Sequence, residues 1–156
     1  MKTQRLIGVI AGIIATMVLV AAAVLIFRDG RVVLSAEYRG EGGIGMITTN
    51  DLKTMAEEKK SFMLFVSQPE CQAAEKLRGI LQELIKEYPI QIFEVSFSEL
   101  RESGLASGVR FYPSLVVYRQ GQVADFLDAN DSADTEAYNS LAGLKDWLTN
   151  VVILDK

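Results

Sequence analysis

Between Gln72 and Tyr88 the apolar residues Ala73, Ala74, Leu77, Ile80, Leu81, Leu84, Ile85 and Tyr88 recur at the spacing of one helix face, and Pro89 stops the helix. Phe62 to Val66 precedes it as an apolar run of strand length, and Ile90 to Val95 follows it, rich in β-branched and aromatic residues. A long amphipathic helix framed by two strands constrains this chain more than any other feature, because both strands and the helix must share one core. Asn50 is placed to cap a shorter helix through Lys59, with Leu52, Met55 and Ala56 on one face. Ser96 with Glu99 has the capping-box pattern for a short helix ending near Gly104. Leu115 to Tyr118 and Val123 to Leu127 flank Gln120-Gly121 and predict an antiparallel hairpin. A last helix is predicted from about Thr135 to Thr149, burying Leu141, Leu144 and Leu148 with Trp147 at its edge. The order predicts an α/β fold with a central mixed β-sheet flanked by helices.

Ahead of this pattern lies Leu6 to Phe27, 22 residues without a charge. As a helix the run would be about 33 Å long, enough to cross a bilayer core. A cleaved signal peptide is the competing reading, since Lys2 and Arg5 form a basic start and Val33-Leu34-Ser35 is a passable cleavage context. The run exceeds a signal core of about 7–15 residues, and Arg28, Asp29 and Arg31 stand before any cut, which favours an uncleaved signal-anchor. The expected organisation is a cytoplasmic N-terminus over 1–5, one transmembrane signal-anchor helix over 6–27, a glycine-containing linker over 28–48 and a folded domain over 49–156. A short strand around Arg31 to Leu34 also fits. Lys2 and Arg5 favour a cytoplasmic N-terminus and an extracytoplasmic domain, although Arg28 and Arg31 weaken the charge bias.

The net charge of -4 argues against a nucleic-acid partner, which would call for clustered Lys and Arg. There is no histidine, so no Ser-His or Cys-His nucleophile pair exists, and no metal or cofactor is expected. Cys71 is the single cysteine, so no intramolecular disulfide forms and the fold stands on packing.

Two stretches carry a resemblance. Phe62-Met63-Leu64-Phe65-Val66, then Ser67-Gln68-Pro69-Glu70-Cys71 and the amphipathic helix, resembles the strand, loop and active-site helix of thioredoxins. Gly108 to Gln122, containing Tyr112-Pro113-Ser114-Leu115, is similar to the stretch that holds their cis-proline, next strand and hairpin. The match covers roughly Leu52 to Val152. The resemblance implies a thioredoxin-like fold, a cis peptide before Pro113, and backbone at Tyr112-Pro113 lying beside the cysteine.

Thioredoxins have a C-x-x-C motif at the head of this helix, the first thiolate attacking a disulfide and the second resolving the mixed disulfide. Here the four positions read Cys71-Gln72-Ala73-Ala74, which leaves Cys71 as candidate nucleophile with Ala74 in the resolving position. A second register, Gln68-Pro69-Glu70-Cys71, would make Cys71 the resolving residue; the helix spacing of Leu77, Leu81 and Leu84 favours the first. Glu70 replaces the tryptophan that often precedes the motif, and the preceding strand is apolar where thioredoxins bury a carboxylate. At a helix N-terminus the free N–H groups favour a thiolate, whereas adjacent Glu70 opposes it.

Two functions follow from the resemblance. One is a membrane-anchored domain of a bacterial envelope that binds or presents a protein partner around Glu70, Cys71, Gln72, Tyr112 and Pro113 without redox cycling. The other is a monothiol thiol-disulfide oxidoreductase, acting on a protein thiol or disulfide, in which an external thiol resolves the Cys71 adduct. The acidic segment Asp128 to Glu136 superficially resembles a calcium loop. However, Ala133 stands where glycine is needed and Asn139 where the bidentate glutamate belongs, so a solvated loop with Asp134 capping the last helix is expected.

Overall fold

The computed structural model describes residues 30–106 and 108–154. The predicted membrane span over 6–27 lies outside the described residues. Among those described, no helix is long and apolar enough to cross a membrane.

The residues from Arg31 onward form one compact unit. Its elements are β1 (Gly43–Met46), α1 (Thr49–Glu57), β2 (Phe62–Ser67), α2 (Gln72–Glu87), β3 (Gln91–Ser96), α3 (Phe97–Ser103), β4 (Ser114–Arg119), β5 (Gln122–Phe126), a 3-10 segment (Ser132–Tyr138) and α4 (Leu141–Val151). The sheet order is β1-β3-β2-β4-β5. β1, β3 and β2 run parallel, while β4 and β5 are antiparallel to their neighbours.

β2 is central and buried along its whole length, which explains why its sequence is continuously apolar instead of alternating. Met63 and Phe65 join Leu77, Leu81 and Leu84 of α2 and Leu144 and Leu148 of α4 on one side of the sheet. Phe62, Leu64 and Val66 pack on the other side with Leu52 of α1 and Leu100 of α3. Each fully buried large side chain contributes about 1.5–3 kcal/mol, so the two layers of helix lock the sheet from both sides.

Four local expectations are corrected. The stretch within 28–48 that was expected to be a linker supplies β1 to the sheet, and Val32 and Leu34 to the core. Val32 bridges Val152, with Val32 N donating to Val151 O at 2.7 Å and Ile153 N donating to Val32 O at 2.9 Å. The first helix is capped by Thr48, not Asn50: Thr48 Oγ1 accepts from Asp51 N, and the Asp51 carboxylate accepts from Thr48 N. The Ser96–Glu99 box does not form, because Ser96 Oγ bonds Ser98 Oγ instead. The last helix is interrupted: the 3-10 segment is capped by Asp131, and α4 restarts at Ser140, whose hydroxyl accepts from Gly143 N, so Asp134 caps neither. A Cβ at Gly143 would collide with the Glu136 carbonyl, so only glycine lets α4 fold back against the 3-10 segment.

Candidate partner groove at Cys71 and Pro113

β2 ends at Ser67, and the chain turns through Gln68, Pro69 and Glu70, with Cys71 N donating to Gln68 O at 3.3 Å. Cys71 is the N-cap of the 16-residue α2 but makes no side-chain capping bond. It is half-buried and packs against the core on the α2–α4 side of the sheet. Glu70 sits at φ +61, a left-handed conformation that costs a side-chain-bearing residue about 1 kcal/mol. Glu70 and Gln72 are exposed, whereas Ala74 is fully buried. In the alternative register the facing position is Gln68, whose Oε1 is buried and accepts no hydrogen bond.

The opposite wall begins at β4. The Tyr112–Pro113 peptide is cis. Pro113 is buried, and its carbonyl lies 2.9 Å from the Tyr138 hydroxyl, which also stands 3.1 Å from Leu127 O. Ser114 Oγ donates to the same Leu127 carbonyl at 2.7 Å. Burial raises the Tyr138 hydroxyl well above the ordinary tyrosine range, and the charges of Asp134 and Asp128 add to this, so it remains a donor. The Tyr112 ring is 40% exposed and leans on Phe97, with centroids 4.8 Å apart.

These two walls enclose a cavity of about 320 Å³ lined by Ala73, Lys76, Tyr112, Pro113, Thr135 and Tyr138, among others. Tyr112 also borders a second cavity of about 380 Å³, reached by Gln68, Phe97 and Arg101. Of the predicted site residues, Tyr112 and Pro113 line the first cavity. Glu70, Cys71 and Gln72 stand at the head of the helix that lines it, and α2 contributes to the lining through Ala73 and Lys76.

No protein-family model matches the chain, and no curated protein sequence does. Solved structures do match. A reduced thioredoxin pre-protein from Schistosoma mansoni aligns with 72% of this chain and 100% of its own, at TM-score 0.54 and 15% identity. Mitochondrial thioredoxin 3 from Saccharomyces cerevisiae aligns with 69% of this chain and 95% of its own, at TM-score 0.52 and 14% identity. Thioredoxin O1 from Arabidopsis thaliana aligns with 72% and 100%, at TM-score 0.52 and 13% identity. The chain has the thioredoxin fold. Within that fold Cys71 is the single thiol, at the head of α2.

The thioredoxin-fold core also holds a carboxylate that the sequence reading missed. Glu94 on β3 is 4% exposed, accepts from Ser67 Oγ at 2.5 Å, and takes both terminal nitrogens of Arg78 at 2.6 Å. β3 pairs with β2 so that Glu94 lies beside Phe65, and the Arg78 guanidinium sits 5.2 Å from the centroid of that ring. Burial alone would raise the Glu94 carboxyl; the Arg78 and Ser67 hydrogen bonds and the Arg78 charge outweigh it and hold the group below its ordinary value. A carboxylate held by three donors is a poor proton acceptor, so this group anchors the root of the Cys71 loop through Ser67. The available signal was a glutamate flanked by Phe93 and Val95 in mid-strand, 16 residues after Arg78.

Carboxylates of the acidic segment serve as local turn acceptors. Asp134 takes Asp128 N, Asp128 takes Asn130 N, and Asp131 takes Ala133 N. Among the described residues no cluster is arranged to hold a metal ion.

Proposed function

We propose that this chain is a membrane-tethered, extracytoplasmic thioredoxin-fold domain of a bacterial envelope that binds or presents a protein partner across the groove between the head of α2 and Tyr112-Pro113. The observation that carries this reading is the contrast within the groove. The Pro113 wall is fixed by Tyr138 and offers the exposed Tyr112 ring, while the resolving position is a fully buried alanine. A partner held there makes its contacts with backbone and aromatic surface, and no second thiol is present to complete a dithiol cycle. The tether rests on the uncharged run Leu6 to Phe27.

The half-exposed position of Cys71 at a helix N-cap supports a second reading, monothiol exchange. The Cys71 thiolate attacks one sulfur of a disulfide, forming a mixed disulfide and expelling the other sulfur as a thiolate. A low-molecular-weight thiol then attacks the adduct, releasing Cys71 and leaving its own sulfur in the new disulfide.

Site-specific cross-linking in intact cells from Tyr112, compared between the native chain and Cys71→Ser, separates the two. Partner binding predicts the same cross-linked species in both, unchanged by reductant. Monothiol exchange predicts species on non-reducing gels that vanish on reduction and are absent from Cys71→Ser.

A further inference from the structure

We infer that the face of the sheet opposite Cys71 carries a second site, a cavity that takes a neutral one-ring molecule and bonds its carbonyl oxygen through the Tyr118 hydroxyl. The site is independent of the groove: Cys71 packs on the α2–α4 side, whereas Tyr118 joins Leu52 and Leu100 on the α1–α3 side. The cavity has a volume of about 340 Å³ and is walled by Leu52 and Ala56 of α1, Leu105 beyond α3, and Gly121 and Val123 of the β4–β5 hairpin. That volume lies at the small end of the range of about 300–1,000 Å³ typical of small-molecule sites. Among the described residues no charged side chain lines it.

Tyr118 is the lining residue that calls for a ligand. It is 4% exposed, and its hydroxyl is buried without a hydrogen-bond partner. Its ring stacks on Phe62 with centroids 4.5 Å apart, so the phenol cannot swing out to water without losing that contact. Burial pushes the Tyr118 hydroxyl up to about 12, so it keeps its proton at neutral pH and acts as a donor. This donor has already lost its water, and an incoming acceptor gains the bond with no further desolvation of the protein. A carboxylate would meet no cation here and would bury its charge uncompensated, which restricts the ligand to a neutral acceptor. One wall is fixed: Gly121 N donates to Lys60 O at 2.7 Å, and a Cβ at Gly121 would collide with the Ala56 carbonyl. The rim is the part that yields. The hydroxyl has almost no accessible surface, so a ligand reaches it as partly exposed Leu105 or Val123 turns aside.

The test titrates the full chain in a neutral detergent with acetophenone or ethylbenzene, which share ring and shape and differ in the carbonyl oxygen. Leucine and valine methyl resonances report binding. Both probes should shift Leu52, Leu105 and Val123 saturably. Tyr118→Phe is expected to raise the Kd of acetophenone about fivefold and leave that of ethylbenzene within about twofold. Comparing each probe with itself cancels its partition into detergent. Because the lost hydroxyl had no partner, the urea midpoint of Tyr118→Phe should stay unchanged or rise. Val123→Trp, at a 39%-exposed position on the rim, should abolish the shifts from both probes. The inference is overturned by absence of saturable shifts, by equal changes for the two probes in Tyr118→Phe, or by unchanged binding in Val123→Trp. It also falls if benzoate shifts the same methyls as strongly as acetophenone. A lowered urea midpoint in Tyr118→Phe overturns it too, by showing that ordered water already serves the hydroxyl. None of these results touches the groove reading, which stands on residues across the sheet.

Discussion

The wall that carries Pro113 and the wall that carries Cys71 meet at one cavity, yet they are held by different means. On the Pro113 side the backbone is tied by long-range hydrogen bonds: Tyr138 reaches the Pro113 and Leu127 carbonyls, and Ser114 reaches Leu127 again. On the Cys71 side the loop is tied at its root, where Ser67 meets the Glu94–Arg78 pair. Above that it carries a left-handed Glu70, a buried Gln68 oxygen without a donor and a cysteine without a capping bond. One wall is therefore tied by side-chain hydrogen bonds across the fold, and the other carries a buried oxygen without a donor and a residue in the left-handed region.

The greatest loss of stability is expected at the root of the Cys71 loop. Arg78→Ala strands the buried Glu94 carboxylate and is expected to cost about 3 kcal/mol, read as a lower urea midpoint at unchanged slope. The pH dependence carries the sign. In the native chain the folded Glu94 carboxyl lies below its unfolded value of about 4.3, so the stability it contributes is present above that pH and lost as pH falls through the folded value. In Arg78→Ala the main depressing partner is gone, burial dominates, and lowering the pH should recover part of the lost stability.

A smaller effect is expected on the opposite wall. Tyr138→Phe removes the donor shared by the Pro113 and Leu127 carbonyls and should cost about 1–2 kcal/mol in the same urea titration. Because Ser114 still serves Leu127, the Pro113 carbonyl bears most of the loss, and cross-linking from Tyr112 should fall with it. The smallest change has the opposite sign. Glu70→Gly relieves the left-handed backbone and should stabilise the chain by about 0.5–1 kcal/mol. A loss on this substitution would show that the Glu70 side chain supports the loop and that the two walls differ less than described.

What could be read from residues alone follows the range of the interactions concerned. α2, the apolar β2 and the β4–β5 hairpin are written in short-range periodicity and turn chemistry, and they appear where expected. Tyr112-Pro113 was legible through its flanking pattern. The Glu94–Arg78–Ser67 cluster was not, because it joins three elements whose contact exists only once β3 lies beside β2 and α2 covers both. A short strand around Arg31 to Leu34 was legible, but the burial of Val32 and Leu34 in the core was not, because it depends on a bridge to Val152, distant in sequence. The caps failed by small displacements: Thr48 outcompeted Asn50 through its reciprocal bond with Asp51, and Ser96 found Ser98 before Glu99. The break before α4 depends on Gly143 meeting the Glu136 carbonyl, a contact that helical periodicity from Thr135 to Thr149 does not reveal.

The bridge between Val32 and Val152 also has a mechanical consequence. The segment that enters the compact unit is stitched to the segment that leaves it, and Arg31 adds a hydrogen bond to the Thr149 carbonyl. Tension on the entering chain is met first by this seam and is shared with the end of α4. Opening the seam would have to pull Val32 and Leu34 out of the core. The compact unit is thus closed like a loop of cord whose two ends are spliced together, and a pull on one end is also a pull on the other.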